Sequence, residues 1–202
     1  QRQMCIRDRF TDTGGIVGTN YGTISGCSAE GTVTGSVNVG GIAGGSYLGA
    51  TIVGCYSSAA VEGSSTVGGV VGNLGNNCSL IACYSTGNVT ATLTTGYAGG
   101  VVGVNAQGSV TACYHATGTV SGQGNVGGIV GMNNNSGQTT ACYWSSNPAN
   151  GIGKMDSGTN GTIKVDGTTV TWQNAVDAMN AALNGSEWRY ELTGELPTLK
   201  KQ

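Results

Sequence analysis

Gly127-Gly128-Ile129-Val130-Gly131 decides the fold, because it is one of five copies of the same block. The copies begin at Gly14, Gly40, Gly68, Gly99 and Gly127, so successive first glycines lie 26, 28, 31 and 28 residues apart. A fixed period of about 20–50 residues is typical of stacked repeats. The sequence therefore predicts an array of short units that bury apolar surface against one another.

Two further elements recur in each period. The first is an apolar residue, any residue, a small residue and then cysteine, which gives Cys27, Cys55, Cys83, Cys113 and Cys142. A tyrosine follows the cysteine in the last four copies, at Tyr56, Tyr84, Tyr114 and Tyr143. The second element is a short β-prone piece around Val33, Val61, Val89 and Val120.

Each period thus holds three short β-prone pieces separated by glycine, asparagine and serine, residues that suit corners. Pieces this short form stable structure only when coil stacks on coil. We predict an all-β protein: a parallel β-helix, or solenoid, of about five three-strand coils. The crossover rule for parallel strands favours a right-handed coil.

Charge is nearly absent from the repeats. Between Gly14 and Ser146 there is no Lys or Arg, and the acids are Glu30 and Glu62. Equivalent residues of stacked coils lie about 4.7–4.9 Å apart, so a charge written into the repeat would face its own copy. The lack of cations excludes nucleic acid as a partner of the repeats, and no uninterrupted apolar run is long enough for a membrane-spanning helix.

The two ends differ from the middle. Residues 1–9 resemble a translated sequencing adapter, which we interpret as an artefact preceding a repeat domain at 10–146. Residues 147–202 are predicted to form a small α+β cap over the open end of the solenoid. We expect it to contain a hairpin around Asp166-Gly167, a helix beginning near Trp172 with Thr171 as N-cap, and a terminal strand that includes Trp188.

The five repeat cysteines are predicted to form a buried structural column of thiols that act as small apolar side chains. The lack of a Cys-x-x-Cys pair and of a histidine partner argues against a metal site, and no cofactor is expected. Cys78 lies in an inserted loop and is the best candidate for a reactive thiol.

Two interpretations of the four tyrosines stay open. They form either an exposed strip on which sugar rings stack, as bases stack on aromatic platforms, or a ladder in which they stack on one another, which we favour. His115, next to Cys113 and Tyr114, is expected to be packed or solvated rather than catalytic, since the sequence places no nucleophile or acid beside it.

The repeats resemble the GLUG motif of bacterial surface proteins, over about Gly14 to Trp144. The copy that carries the resemblance best is Gly99-Gly100-Val101-Val102-Gly103-Val104-Asn105 followed by Gly108-Ser109-Val110-Thr111-Ala112-Cys113-Tyr114. The resemblance implies an extracellular location on a bacterial surface, within a longer chain. Secreted immunoglobulin A peptidases also contain such repeats, but the His-Glu-x-x-His helix of a zinc peptidase is missing from this sequence.

These features lead to three functional hypotheses. The first is a non-catalytic stalk or adhesion scaffold, whose partners would be glycans or proteins of host or cell surfaces. The second is a carbohydrate-binding module that uses the tyrosines or inserted loops. The third, a polysaccharide-cleaving β-helix, is disfavoured because Glu30 and Glu62 occupy different repeat positions and form no evident carboxylate pair.

Overall fold

The structure, a computed structural model, describes residues 11–202 together with the backbone of residues 6–7. Most of the predicted adapter-derived stretch, 1–9, therefore lies outside the described residues. In the described part of the chain, short strands stack in parallel into five sheets, which we number in the order in which one coil passes through them.

Each of the first four coils contributes one strand to every sheet, and the fifth contributes one strand to each of sheets 1 to 4. Sheet 1 contains Asp12–Gly14, Asn38–Gly40, Thr66–Gly68, Tyr97–Gly99 and Asn125–Gly127. Sheet 2 contains Val17–Asn20, Ala43–Ser46, Val71–Leu74, Val102–Ala106, Val130–Asn134 and Ile152–Met155. Sheet 3 contains Thr23–Ser25, Thr51–Val53, Ser79–Ile81, Ser109–Thr111 and Gln138–Thr140.

The remaining two parallel sheets complete the coil. Sheet 4 contains Ser28–Ala29, Tyr56–Ser57, Tyr84–Ser85, Tyr114–His115, Cys142–Trp144 and Thr162–Lys164. Sheet 5 contains Ile6–Arg7, Thr32–Thr34, Ala60–Gly63, Val89–Ala91 and Val120–Gly122. The stacking confirms the predicted β-solenoid of about five coils.

The number of strands per coil was predicted wrongly: a coil has five strands, not three. The glycine block reverses the chain sharply, so the first predicted piece becomes a strand of sheet 1 and a strand of sheet 2. The small residue before each cysteine divides the second piece into strands of sheets 3 and 4. That residue has a positive φ at Gly26, Gly54, Ala82, Ala112 and Ala141, which we call the corner column.

Close backbone approach explains the glycines of the block. A Cβ on Gly68 would press into the carbonyl oxygen of Val71, and one on Gly72 would lie 2.6 Å from the amide nitrogen of Val39 in the coil before. A Cβ on Gly69 would press into the inward side chain of sheet 4 in the same coil. The block is therefore the place where sheet 2 folds back against sheet 1, with no room for side chains at these positions.

Two apolar clusters fill the solenoid. The larger one joins the apolar residues of the glycine block to sheets 2, 3 and 4, and includes Ile42, Leu80 and Ile129, all 0% exposed. The smaller one is built by valines of sheets 5 and 1, such as Val61 and Val67. Identical positions of successive coils pack on one another, because the pairing is in register throughout.

The C-terminal region departs from the prediction in its strand pairing, in the turn that follows and in its position on the solenoid. Parallel pairing continues past residue 146, since Ile152–Met155 joins sheet 2 and Thr162–Lys164 joins sheet 4. The hairpin predicted around Asp166-Gly167 does not form, because the free edge of sheet 4 pairs with Thr162–Lys164. The Asp166 carboxylate instead accepts backbone N–H groups of three following residues and closes a turn.

The predicted helix is present at Trp172–Ala182, with Thr171 and Asn174 forming a reciprocal capping box. It is followed by an antiparallel pair of strands, Trp188–Glu191 and Thr198–Lys201. We refer to residues 165–202 as the C-terminal segment. It packs along the side of the solenoid, against the corner column and sheet 4, rather than over the open end where the sequence predicted a cap.

Candidate functional site: the tyrosine column and its cover

Tyr56, Tyr84, Tyr114 and Tyr143 form a tyrosine column on sheet 4, because they are register partners in four successive coils. The rings of Tyr56 and Tyr84 are stacked with centroids 5.0 Å apart and an interplanar angle of 5°. Those of Tyr84 and Tyr114 are stacked at 4.7 Å and 4°. Parallel strands at their normal spacing thus bring the rings to stacking distance.

The C-terminal segment covers Tyr114 and Tyr143, the last two residues of this column. Tyr114 is 1% and Tyr143 is 4% exposed. The rings of Trp172 and Tyr190 meet the Tyr114 ring edge-on, with centroids 5.1 and 5.7 Å away. The Tyr114 hydroxyl donates a hydrogen bond to the carbonyl oxygen of Pro197. A sugar strip that uses all four rings would therefore require the C-terminal segment to leave.

Sequence reasoning did not identify the residues that anchor this cover. The Tyr190 hydroxyl donates to the carbonyl oxygens of Ala112 at 2.9 Å and Cys83 at 3.3 Å. The Trp188 ring lies against Gly54, and its edge lies 3.4 Å from where a Cβ on Gly26 would be. The small residues of the corner column were the available signal, since they leave a groove that large aromatic side chains fill.

Burial holds the tyrosine hydroxyls in their neutral form. Burial, and next the charge of Tyr56, raise the pKa of Tyr84 to about 12. Burial also raises the pKa of Tyr114 and Tyr190. Since a neutral hydroxyl donates a hydrogen bond, Tyr114 and Tyr190 serve as donors to backbone carbonyls rather than as acids or bases.

The five repeat cysteines lie one above another and are free thiols. Cys83 donates to the carbonyl oxygen of Ile81 at 3.2 Å, and its sulfur accepts the backbone N–H of Cys55 at 3.4 Å. The same pattern joins Cys27 to Cys55. All five thiols donate to the carbonyl oxygen two residues earlier, at the corner between sheets 3 and 4. The sulfurs of Cys55 and Cys83 also accept a backbone N–H of the preceding coil.

The electrostatics of this cysteine column disfavour thiolate. Burial raises the pKa of Cys83, and that of Cys142 to about 11. For Cys55 the hydrogen bond with the Cys83 side chain contributes most to the rise, followed by burial. Since the thiolate is the reactive form, the column is suited to packing.

The structure contradicts the prediction that Cys78 is a reactive thiol. Cys78 is 1% exposed and belongs to the larger apolar cluster, beside Ala50 of the preceding coil. The insertion bulges outward at Asn76 and Asn77, which are exposed, and the chain returns to the core at Cys78. Its position in an inserted loop therefore did not make it accessible.

His115 is 0% exposed and occupies the inward position of sheet 4 that Ser57 and Ser85 hold in earlier coils. Its Nδ1 lies 2.8 Å from the Ser85 hydroxyl, and its Nε2 lies 3.1 Å from the carbonyl oxygen of Gly118. Burial lowers its pKa to about 4. The ring is a packed, neutral hydrogen-bonding group, in line with the expectation for this residue.

The acids of the coils are separated from one another. Glu62 lies on sheet 5 between Thr34 and Thr90, and Glu30 lies in the turn before sheet 5. Within the described residues, no three His, Cys, Asp or Glu side chains come close enough together to hold a metal ion. No helix in the described part of the chain is both long and apolar enough to cross a membrane.

In-register parallel coils with a recurring glycine block define the class of this protein as a parallel β-solenoid. The model of the GLUG motif matches residues 11–34, which form the first coil. Four further copies of the glycine block stack on that coil in register. The chain therefore contains one GLUG motif, at 11–34, and four further copies of its glycine block stacked on that coil.

Among solved structures, the chain is similar to a Bacteroides ovatus protein described as a "putative immunoglobulin A1 protease". The two are 21% identical, the TM-score is 0.54, and the match covers 92% of this chain and 75% of the other. This likeness concerns the fold. In a comparison with curated proteins, no match was found.

Proposed function

We propose that this chain is a non-catalytic, extracellular segment of a bacterial surface protein, in which the solenoid acts as a stalk or interaction scaffold. The proposal rests on the observation that reactive side chains of the coils are engaged in packing and hydrogen bonding. The Cys83 thiol, the Tyr114 hydroxyl and the His115 imidazole are buried and hydrogen-bonded to backbone carbonyl groups. Such groups stabilise a rod and are unsuited to proton transfer at neutral pH.

The uncharged outer surface supports the same proposal. Ser, Thr and Asn occupy the outward positions of the sheets, for example Thr51, Ser79 and Ser109 along sheet 3. A rigid, weakly charged rod holds attached domains apart without attracting polyelectrolytes. The GLUG match and the bacterial source of the similar structure support an extracellular bacterial setting.

Two measurements test the proposal. Antibodies raised against the purified chain should label intact cells of the source bacterium, and labelling only after lysis would overturn the extracellular assignment. The purified chain should leave immunoglobulin A1 and a panel of polysaccharides uncleaved over a day at 37 °C. Cleavage that persists after repurification and is lost on unfolding would overturn the non-catalytic assignment.

A further inference from the structure

An exposed aromatic surface lies on the first two coils, away from the tyrosine column. Tyr21 is 65% exposed, and its ring centroid lies 6.1 Å from that of half-buried Tyr47 at an angle of 39°. Leu48, next to Tyr47, is 83% exposed. Together these three side chains make an apolar surface that water reaches.

This surface is not part of the repeat. Tyr21 and Tyr47 follow the register partners Asn20 and Ser46 at the end of sheet 2. The equivalent positions in the next three coils are Gly75, Ala106 and Asn134. Stacking of the coils thus does not require an aromatic residue here, and the exposed ring of Tyr21 needs another explanation.

A polar cluster centred on Asp12 lies beside the rings. The Asp12 carboxylate accepts hydrogen bonds from Asn38 Nδ2 at 2.7 Å and from Thr19 Oγ1 at 3.0 Å, and the Tyr47 hydroxyl lies 3.5 Å from it. None of the ion pairs found among the described residues includes Asp12. Among the described residues, neutral dipoles hold this half-buried carboxylate in place, and its two oxygens have further lone pairs that can accept from hydroxyl donors.

We propose that Tyr21, Tyr47 and Asp12 form a binding site for a neutral sugar. A pyranose ring presents an apolar C–H face to an aromatic ring and hydroxyl pairs to a fixed carboxylate and amide. Few, well-placed polar groups beside aromatic surface are what orient such ligands. The carboxylate repels sulfated, phosphorylated or sialylated groups, and no Lys or Arg occurs between Gly14 and Ser146 to attract them.

The site deepens the adhesive side of the proposed function, since it gives the scaffold a ligand class. The sugar site is tested with the purified whole chain, so the result does not depend on where the protein is located in the cell. If no sugar binds while intact cells are labelled, the sugar site fails and the scaffold proposal stands.

The experiment measures binding of the whole chain to immobilised neutral oligosaccharides with terminal glucose, galactose or mannose, and to sialylated and sulfated glycans. We expect binding to at least one neutral class, with affinity reduced about tenfold or more by Tyr21→Ala, which removes the stacking surface. Asp12→Asn should also weaken binding. Because Tyr21 is mostly exposed, its removal should leave the circular dichroism spectrum and melting temperature unchanged.

Two variants serve as matched controls. Tyr97→Ala removes a half-buried tyrosine from the same column of sheet 1 as Asp12, three coils along, and should leave binding unchanged. Tyr56→Ala tests the tyrosine column. The proposal is overturned if no neutral glycan binds, if acidic glycans bind better, or if binding survives Tyr21→Ala and is lost in Tyr56→Ala.

Discussion

Adding one methyl group at Gly54 tests how the C-terminal segment is attached to the solenoid. A Cβ on Gly54 would lie closer than 3.0 Å to three atoms of the Trp188 ring, a separation that real Cβ atoms essentially never show. A Cβ on Gly26, one coil away, would meet the same ring at 3.4 Å, which is ordinary contact. The two glycines have φ values of +64° and +63°, so they form a matched pair.

The magnitude follows from separating backbone strain from collision. Alanine at a positive φ costs about 1–2 kcal/mol, and this cost is common to Gly26→Ala and Gly54→Ala. Ala82, Ala112 and Ala141 adopt φ values of +51°, +52° and +49°, so the backbone of the corner itself tolerates alanine. Overpacking adds about 1–3 kcal/mol, and we expect this extra destabilisation at Gly54 alone.

Urea unfolding followed by tryptophan fluorescence and far-ultraviolet circular dichroism measures the difference. Each kcal/mol should also lower the melting temperature by about 2–4 °C in a chain of this length. In a Trp188→Ala background the extra cost of Gly54→Ala should fall below about 0.5 kcal/mol, since the collision is gone. Equal destabilisation by Gly26→Ala and Gly54→Ala in the wild-type background would refute the docking of Trp188 on Gly54.

The pKa of His115 and the accessibility of the thiols give two further predictions. The folded-state pKa of His115 is about 4, below the usual 6.5, so its contribution to stability is complete above pH 6.5 and is lost as the pH falls towards 4. The free energy of unfolding should drop by about 3 kcal/mol over that window. His115→Gln should flatten the dependence of this free energy on pH between pH 7 and 5. An unchanged dependence would contradict the burial of this single histidine. In a Cys5→Ser variant, a thiol reagent should label half-buried Cys27 first and the other cysteines only on unfolding. Adding Cys27→Ser should abolish the fast phase of labelling. Fast labelling of Cys83 would contradict the buried cysteine column.

The coil architecture could be predicted because its cause is local. The spacing of the glycine block sets the period, and the cysteine and tyrosine that follow it recur with the same period. The split into five strands was missed because it depends on backbone turns at positions such as Gly69 and Ala82. In the sequence these small residues do not indicate a change of chain direction, which depends on the backbone conformation that they adopt.

The cover over the tyrosine column could not be predicted, because its contacts join distant parts of the chain. The Tyr190 hydroxyl reaches carbonyl oxygens 78 and 107 residues earlier, and no local pattern encodes such pairs. Similarly, the sequence placed Cys78 in an insertion but did not indicate which inserted residue returns to the core. The surface around Tyr21 was not predicted because the prediction rested on residues that recur in every coil, and Tyr21 does not recur.

The central claim is that successive coils stack in register, so that each residue touches its own copy. Nuclear Overhauser contacts between backbone protons of isotope-labelled protein test it most directly. We predict strand-to-strand contacts of the parallel type linking Val61 to Val89 and Val89 to Val120. Antiparallel contacts between neighbouring strands within one period, such as Thr51–Val53 with Ala60–Gly63, in place of these would contradict it.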